Sequence, residues 1–418
     1  MSTQKDILRI ARQAKEASYV LAGLSAQTKN KALRAMARAL RKNIKVLLAA
    51  NQKDLFLAEK NGLSPALIDR LMLNKARILK MARSIDQVAG LKDPVGRMIN
   101  LWKKSNGLII GKVRVPLGVI AIIYESRPDV TSECSALCLK SGNSIILRGG
   151  KEAIHSNTAL WKVLAKACRL NGLPEGCLSF IQTTSHKAVD MLLRMNEYID
   201  LVIPRGGEGL IKQVIRLSRI PVIKHYKGIC HIYVDKKADL SIAEKVCFNA
   251  KCQRPAVCNA METLLVHNSV ARRFLPVMLK EFQKAGVEIR GCPVVRKIVK
   301  GVNPASEKDW KTEYLDLVLS VKVVSSLEEA IGHIARFGSG HSDAIITTDL
   351  KAAFGFLKKV DSAAVYLNAS TRFTDGGEFG MGAEIGISTD KIHARGPMGL
   401  EELTSYKYII LGSGQTRK

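Results

Sequence analysis

Aromatic residues make up only 5% of this chain, and tryptophan occurs three times in 418 residues. That scarcity argues against a platform on which bases stack, as sequence-tolerant binders of single-stranded nucleic acid require. No run of roughly 18 apolar residues occurs, so no segment reads as a membrane-spanning helix. Met1-Ser2-Thr3-Gln4-Lys5-Asp6 leads directly into an amphipathic pattern without an apolar h-region. The expectation is a cytoplasmic chain with no membrane partner. Cysteines are nine in number, an odd count, and none forms a CxxC pair. Neither a disulfide framework nor a zinc ribbon fits them, and reduced thiols are expected. The eight histidines are scattered without an HExxH, so no metal site is expected. No GxGxxG follows any strand-like run, which removes the usual Rossmann fingerprint. Internal repeats of 20–50 residues and low-complexity stretches are also missing.

What is present is an ordinary globular composition, 47% hydrophobic and 24% charged, with a formal net charge of +28. Such length suits two or three domains and a large core. The positive charge draws anions non-specifically. Lys and Arg are nevertheless spread along the chain instead of clustered in a tail or one helix. They read as a solvated basic surface, with no specific nucleic-acid partner.

The hydrophobic period changes along the chain. Residues 5–95 carry apolar side chains at helical spacing, with Ser64-Pro65 as an N-cap followed by Pro at the first helical position. From 97 the pattern becomes strand-like on both sides of Ser105-Asn106-Gly107, which predicts a protruding hairpin over 97–115. Gly118 to Tyr124 is a continuous apolar run, as in a strand buried on both faces of a parallel sheet. Strands at 144–147, 178–181 and 199–203 then alternate with helices. A second alternation follows, with strands at 262–266, 319–324, 344–347 and 364–368, and a last strand spans 405–411. The expected fold class is α/β with two doubly wound domains.

Two strand-to-helix turns are rich in glycine and carry cations. These are Arg148-Gly149-Gly150-Lys151 and Arg205-Gly206-Gly207. Glycine allows close backbone approach to a phosphate, and a helix start supplies N–H donors. Arg148 and Lys151 would suit a further phosphate, such as the 2′-phosphate of NADP. Plain turns remain the alternative. Cys258 lies in a polar turn between a helical stretch (243–249) and a short strand. A cysteine there can act as a thiolate nucleophile beside an oxyanion site, or be a small buried hydrophobe.

Arg254-Pro255-Ala256-Val257-Cys258-Asn259-Ala260-Met261-Glu262-Thr263-Leu264-Leu265-Val266 closely resembles the active-site segment of the gamma-glutamyl phosphate reductase (glutamate-5-semialdehyde dehydrogenase) family, within the aldehyde dehydrogenase superfamily. Six further segments resemble it in family order. They are Tyr124 to Thr131, Ser141 to Gly150, Ile203 to Gly207, His231 to Asp235, Phe337 to Asp343 and Ile392 to Leu400. The resemblance covers essentially the whole chain.

It implies an aldehyde-dehydrogenase-like fold. The NADP-binding domain would occupy 1–235, the catalytic domain 236–368, and a return to the cofactor domain with an oligomerisation strand 369–418. It also implies NADPH-dependent reduction of L-glutamate 5-phosphate to glutamate 5-semialdehyde and phosphate, a step of proline biosynthesis. A reductase of another acyl phosphate or thioester is the alternative. Cys258 would form the thioester, with Ser126, Arg254 and Asn259 completing the catalytic group. Ser126 falls where the superfamily has its oxyanion Asn. Arg148, Gly149, Gly150, Lys151, Arg205, Gly206, Gly207 and Glu313 would hold the cofactor, Glu313 at the nicotinamide ribose. The upstream stretch Val222 to Gly228 carries no carboxylate where hydrolytic members place a general base, which suits a thioester that accepts hydride. The 97–115 hairpin and the C-terminal strand suggest a homo-oligomer, and the acyl phosphate must come from a separate glutamate 5-kinase, a candidate partner. His225 and His341 are either phosphate contacts or, as lone histidines more often are, satisfied surface or core groups, and Cys252 is expected to be structural.

Overall fold

The computed structural model describes residues 2–224 and 227–417. The chain divides into two compact units. One holds the residues through Lys224, together with Gly380–Gly386 and the segment from Met398 onward. The other holds the residues that follow Lys224 through Phe379, with Ile387–Pro397.

The first unit opens with the helices Ser2–Ala22, Ala26–Lys42, Ile44–Lys60, Pro65–Leu71 and Lys75–Gly90. Ser25, Ser64 and Asn74 each accept a backbone N–H at a helix start, satisfying donors that the helix leaves unpaired. Its sheet has four parallel strands in the order Leu178–Phe180, Ser144–Arg148, Val119–Tyr124, Leu201–Arg205. The two central strands are buried at every position, which is why they read as unbroken apolar runs. Lys15 pins the first helix to this sheet through Asp200 at 2.9 Å, and Asp200 also accepts the Val119 N–H.

A separate three-stranded antiparallel sheet belongs to the same unit. Met98–Lys103 pairs with Ile109–Pro116, as the Asn106-Gly107 turn predicts, and Thr404–Leu411 pairs along the whole second strand. Met98, Ile99, Leu101, Tyr406, Tyr408, Ile409, Ile410 and Leu411 remain exposed on it.

The second unit is built on seven parallel strands in the order Asn303–Pro304, Glu288–Gly291, Val318–Val324, Met261–His267, Cys230–Val234, Ser342–Ile346, Ala364–Leu367. The boundary therefore falls at 224 rather than 235, because Cys230–Val234 is hydrogen-bonded between Met261–His267 and Ser342–Ile346. Residues 369–379 also belong to this unit, not to the returning segment. Phe274, Leu275, Met278, Leu279 and Phe282, from the helix Asn268–Lys284, fill the core on one face of this sheet. No described helix is long and apolar enough to cross a membrane.

Candidate active site

The helix Leu240–Cys252 ends where Pro255 follows, and the chain re-enters the sheet at Met261. A proline denies the helix an N–H and disfavours helical geometry in the residue before it. The intervening turn carries Cys258. No described cysteine is in a disulfide, and Cys252 and Cys258 are the two not fully buried. Burial pushes the thiols of Cys134, Cys138, Cys230 and Cys247 far up, so these stay neutral. Cys252 is raised too, by burial, against a weaker pull from Lys251.

The backbone of Cys258 is held from two sides within its unit. The buried Cys230 thiol donates to the Cys258 carbonyl at 3.2 Å. Gly228 packs so closely that a Cβ there would lie 1.9 Å from that carbonyl oxygen and 2.5 Å from the Cys258 Cα. Glycine is required at 228 by this approach alone, and its φ is not at issue. Glu313 fixes Gly228 in turn, accepting its N–H at 2.9 Å. Gly228→Ala must displace the Cys258 backbone. Turnover is expected to fall at least about 100-fold, since a 1 Å misplacement costs that much. Rates of product formation and of iodoacetamide labelling at Cys258, set against an unchanged circular dichroism spectrum, check it.

Beneath the turn lies a buried ion pair. Lys251 Nζ meets Glu262 Oε2 at 2.6 Å, with neither side chain exposed. Glu262 Oε1 also accepts the Leu315 N–H at 3.1 Å. The two ends of the cysteine turn are thereby tied to each other and to the strip that carries Glu313. Burial pushes the Glu262 carboxyl up to about 7, with Lys251 pulling it back.

Asn259 faces inward from the same turn. Its Nδ2 donates to the carbonyls of Thr374 at 2.9 Å and Arg372 at 3.4 Å, and its Oδ1 accepts from Arg372 Nη1. Thr371 Oγ1 donates to the Asn259 carbonyl at 2.7 Å. Both amide N–H groups are thus committed to backbone, so Asn259 fastens the turn to residues 371–374. Arg254 is exposed on the turn, and its positive charge bears on Arg372. His341 is buried, with Nδ1 near Ser342 Oγ at 2.8 Å and Cys230 Sγ at 3.8 Å. His225 lies outside the described residues.

The remaining candidates lie in the first unit. Ser126 has φ 29°, an uncommon conformation for a residue with a side chain, and both its N–H and its hydroxyl donate to Glu152 Oε1 at 2.6 and 2.8 Å. Arg148 is buried and donates to the carbonyls of Gly149 and Thr184 at 3.1 and 2.9 Å, while Lys151 is exposed. The helix Glu208–Leu217 starts behind Gly207, whose N–H donates to the Glu125 carboxylate at 2.8 Å. That amide is an anion-binding donor of the kind a helix start presents.

Sequence reasoning missed Gly228, Lys251, Glu262 and Arg372. A Lys near the end of the helix and a Glu at the start of the strand, on either side of the cysteine turn, were the available signal for the pair. Arg372 gave none.

Comparison with known proteins bears on the family of this chain. The family model described as "Aldehyde dehydrogenase family" matches residues 1–290. The gamma-glutamyl phosphate reductase of Carboxydothermus hydrogenoformans is 57% identical over 412 residues, 99% of each chain. That of Thermoanaerobacter sp. is 56% identical over 408 residues, covering 98% of this chain and 99% of the relative. Among solved structures, the gamma-glutamyl phosphate reductase of Thermotoga maritima superposes with a TM-score of 0.97 at 49% identity, covering 99% of this chain and 100% of that one. Two doubly wound parallel sheets, a cysteine on the turn into the second, and full-length likeness at these identities place this chain in the aldehyde dehydrogenase family, on its gamma-glutamyl phosphate reductase branch.

Proposed function

We propose that this protein is an NADPH-dependent reductase of L-glutamate 5-phosphate, yielding glutamate 5-semialdehyde and phosphate in the route from glutamate to proline. The carrying observation is Cys258. It is half-buried on a turn that Gly228, Cys230, Asn259 and the Lys251–Glu262 pair hold rigidly. A nucleophile fixed in this way is ready for attack without reorganisation.

The Cys258 thiolate attacks the acyl carbon, an S–C bond forms, and the C–O bond to phosphate breaks, with the electron pair leaving on phosphate. The acyl group is now a thioester on Cys258. A nicotinamide dinucleotide, with its phosphates at Gly207 and Lys151, would supply the hydride that takes this acyl group to the aldehyde level. Cys258 then departs as thiolate, ready for the next turnover. The upstream stretch 222–228 carries no carboxylate to activate water, which would spare the thioester from hydrolysis.

The residues present fit a dinucleotide. Gly207 and the start of the helix Glu208–Leu217 would take a phosphate, with Glu125 turning aside, and at Gly206 a Cβ would meet the Glu125 carboxylate and Leu210. Lys151, exposed beside the Gly149-Gly150 turn, would contact the 2′-phosphate. Arg148, committed to two carbonyls, would brace that turn. Glu313 would hold the nicotinamide ribose. We read the exposed apolar residues of the three-stranded sheet as a contact between copies of the chain.

The reverse reaction tests this reading. Glutamate semialdehyde should reduce NADP only when inorganic phosphate is present, with NAD a markedly poorer acceptor. Aldehyde oxidation that proceeds equally well without phosphate would overturn it.

A further inference from the structure

Arg372 lies on the short helical turn Thr371–Phe373, 113 residues from Asn259 in the chain, yet it touches the cysteine turn at two points. Its Nε donates to Gln253 Oε1 at 2.9 Å, and its Nη1 donates to Asn259 Oδ1, next to Cys258. Both acceptors are neutral amide oxygens. They orient the guanidinium without cancelling its charge.

Three other partly buried arginines of this protein are matched by acids, whereas Arg148 is held by two backbone carbonyls. Arg290 meets Asp309 at 2.7 Å and Glu288 at 2.8 Å, Arg114 meets Glu401 at 2.7 Å, and Arg395 meets Asp361 at 2.6 Å. Arg372 has no carboxylate within ion-pair distance among the described residues. Asp375 is near enough to attract it, but its carboxylate is turned to the N–H groups of Gly377 and Glu378. The other titratable groups bearing on Arg372 are Arg254, which repels it, and the Cys258 and Cys230 thiols. Burial is the largest influence on Arg372 and, like Arg254, works against its positive charge. Two guanidiniums beside a nucleophile, one of them half-buried, form a place that an anion would stabilise.

We infer that Arg372, aligned by Gln253 and Asn259 and assisted by Arg254, is the residue that grips the phosphoryl group of the substrate. This assignment rests on the acyl-phosphate reading above and names the subsite that makes the enzyme specific for an acyl phosphate. In the reductive direction the guanidiniums hold the dianion as the C–O bond breaks and take up the departing phosphate. In reverse they position inorganic phosphate so that its oxygen attacks the Cys258 thioester carbon, while the C–S bond breaks and the electron pair returns to sulfur. A planar guanidinium matches two phosphate oxygens at once, which lysine cannot do.

The test uses the full chain in the phosphate-dependent direction, with Arg372→Lys and Arg372→Ala beside wild type. The KM for inorganic phosphate is expected to rise at least about tenfold in both variants, more in Ala, as a bidentate contact is lost. The KM for the aldehyde and for NADP should stay within about twofold. A second readout separates this from bracing of the turn: phosphate should slow iodoacetamide labelling of Cys258 in wild type and not in Arg372→Ala. An unchanged KM for phosphate, with turnover and labelling falling together, would reduce Arg372 to a brace and overturn the assignment. A rise confined to the aldehyde KM would also overturn it, giving the guanidinium to the substrate's α-carboxylate. A wild type that needs no phosphate would sink the underlying reaction first, and this subsite with it.

Discussion

Cys258→Ala is expected to remain folded and to turn over at least about 10⁴-fold more slowly than wild type, the scale seen when a covalent nucleophile is removed. The loss should lie in kcat, with NADP still bound, because the Cys258 sulfur is not among the expected cofactor contacts. Intact mass after mixing with glutamate semialdehyde and NADP in the absence of phosphate should show the acyl adduct in wild type and none in the variant. Cys252→Ala is the control. Cys252 ends the helix Leu240–Cys252 and its thiol is raised by burial, so its removal should leave the rate within about threefold, as for a group outside the chemistry. Aldehyde formation at the normal pace without the Cys258 sulfur would end the covalent account.

The second large effect is on stability. Lys251→Ala is expected to destabilise the protein by about 3–5 kcal/mol, the cost of stranding one member of a fully buried ion pair. Glu262 would keep only the Leu315 N–H as partner. Because that carboxyl already sits near 7 with the ammonium 2.6 Å away, it should protonate once Lys251 is gone. Lys251→Met/Glu262→Gln, which removes both charges and keeps an acceptor for Leu315, should recover much of the loss, since well-packed neutral replacements of buried pairs are often tolerated. Urea unfolding midpoints of the three proteins measure this. An unshifted midpoint in Lys251→Ala would show that the pair is solvated in solution. Turnover should fall along with stability, because the pair ties both ends of the cysteine turn to the strip that carries Glu313.

Much of this site was open to reading from the chain alone. The switch from helical to strand-like period near 97, the apolar runs at 119–124 and 144–147, and the proline-broken turn before Met261 are local patterns, and each corresponds to an element where it was expected. Cys258 stood out because it occupies such a joint, inside a segment that carries a family likeness. The short strands Glu288–Gly291 and Asn303–Pro304 did not stand out. Four and two residues are too few to show a period, and one is mostly charged or small.

Local period, cap chemistry and the order of motifs along the chain determined an α/β protein of two doubly wound sheets with a cysteine at 258 on the turn before a strand of the second sheet. Partner choice was settled only in three dimensions. An apolar strand such as Cys230–Val234 looks alike to either sheet, and hydrogen bonding to Met261–His267 and Ser342–Ile346 assigns it to the second. The same holds for Gly228 against Cys258, Glu152 against Ser126, and Arg372 against Asn259. These contacts join residues far apart in the chain, and no spacing rule within one segment records where a folded backbone will bring a distant side chain to rest.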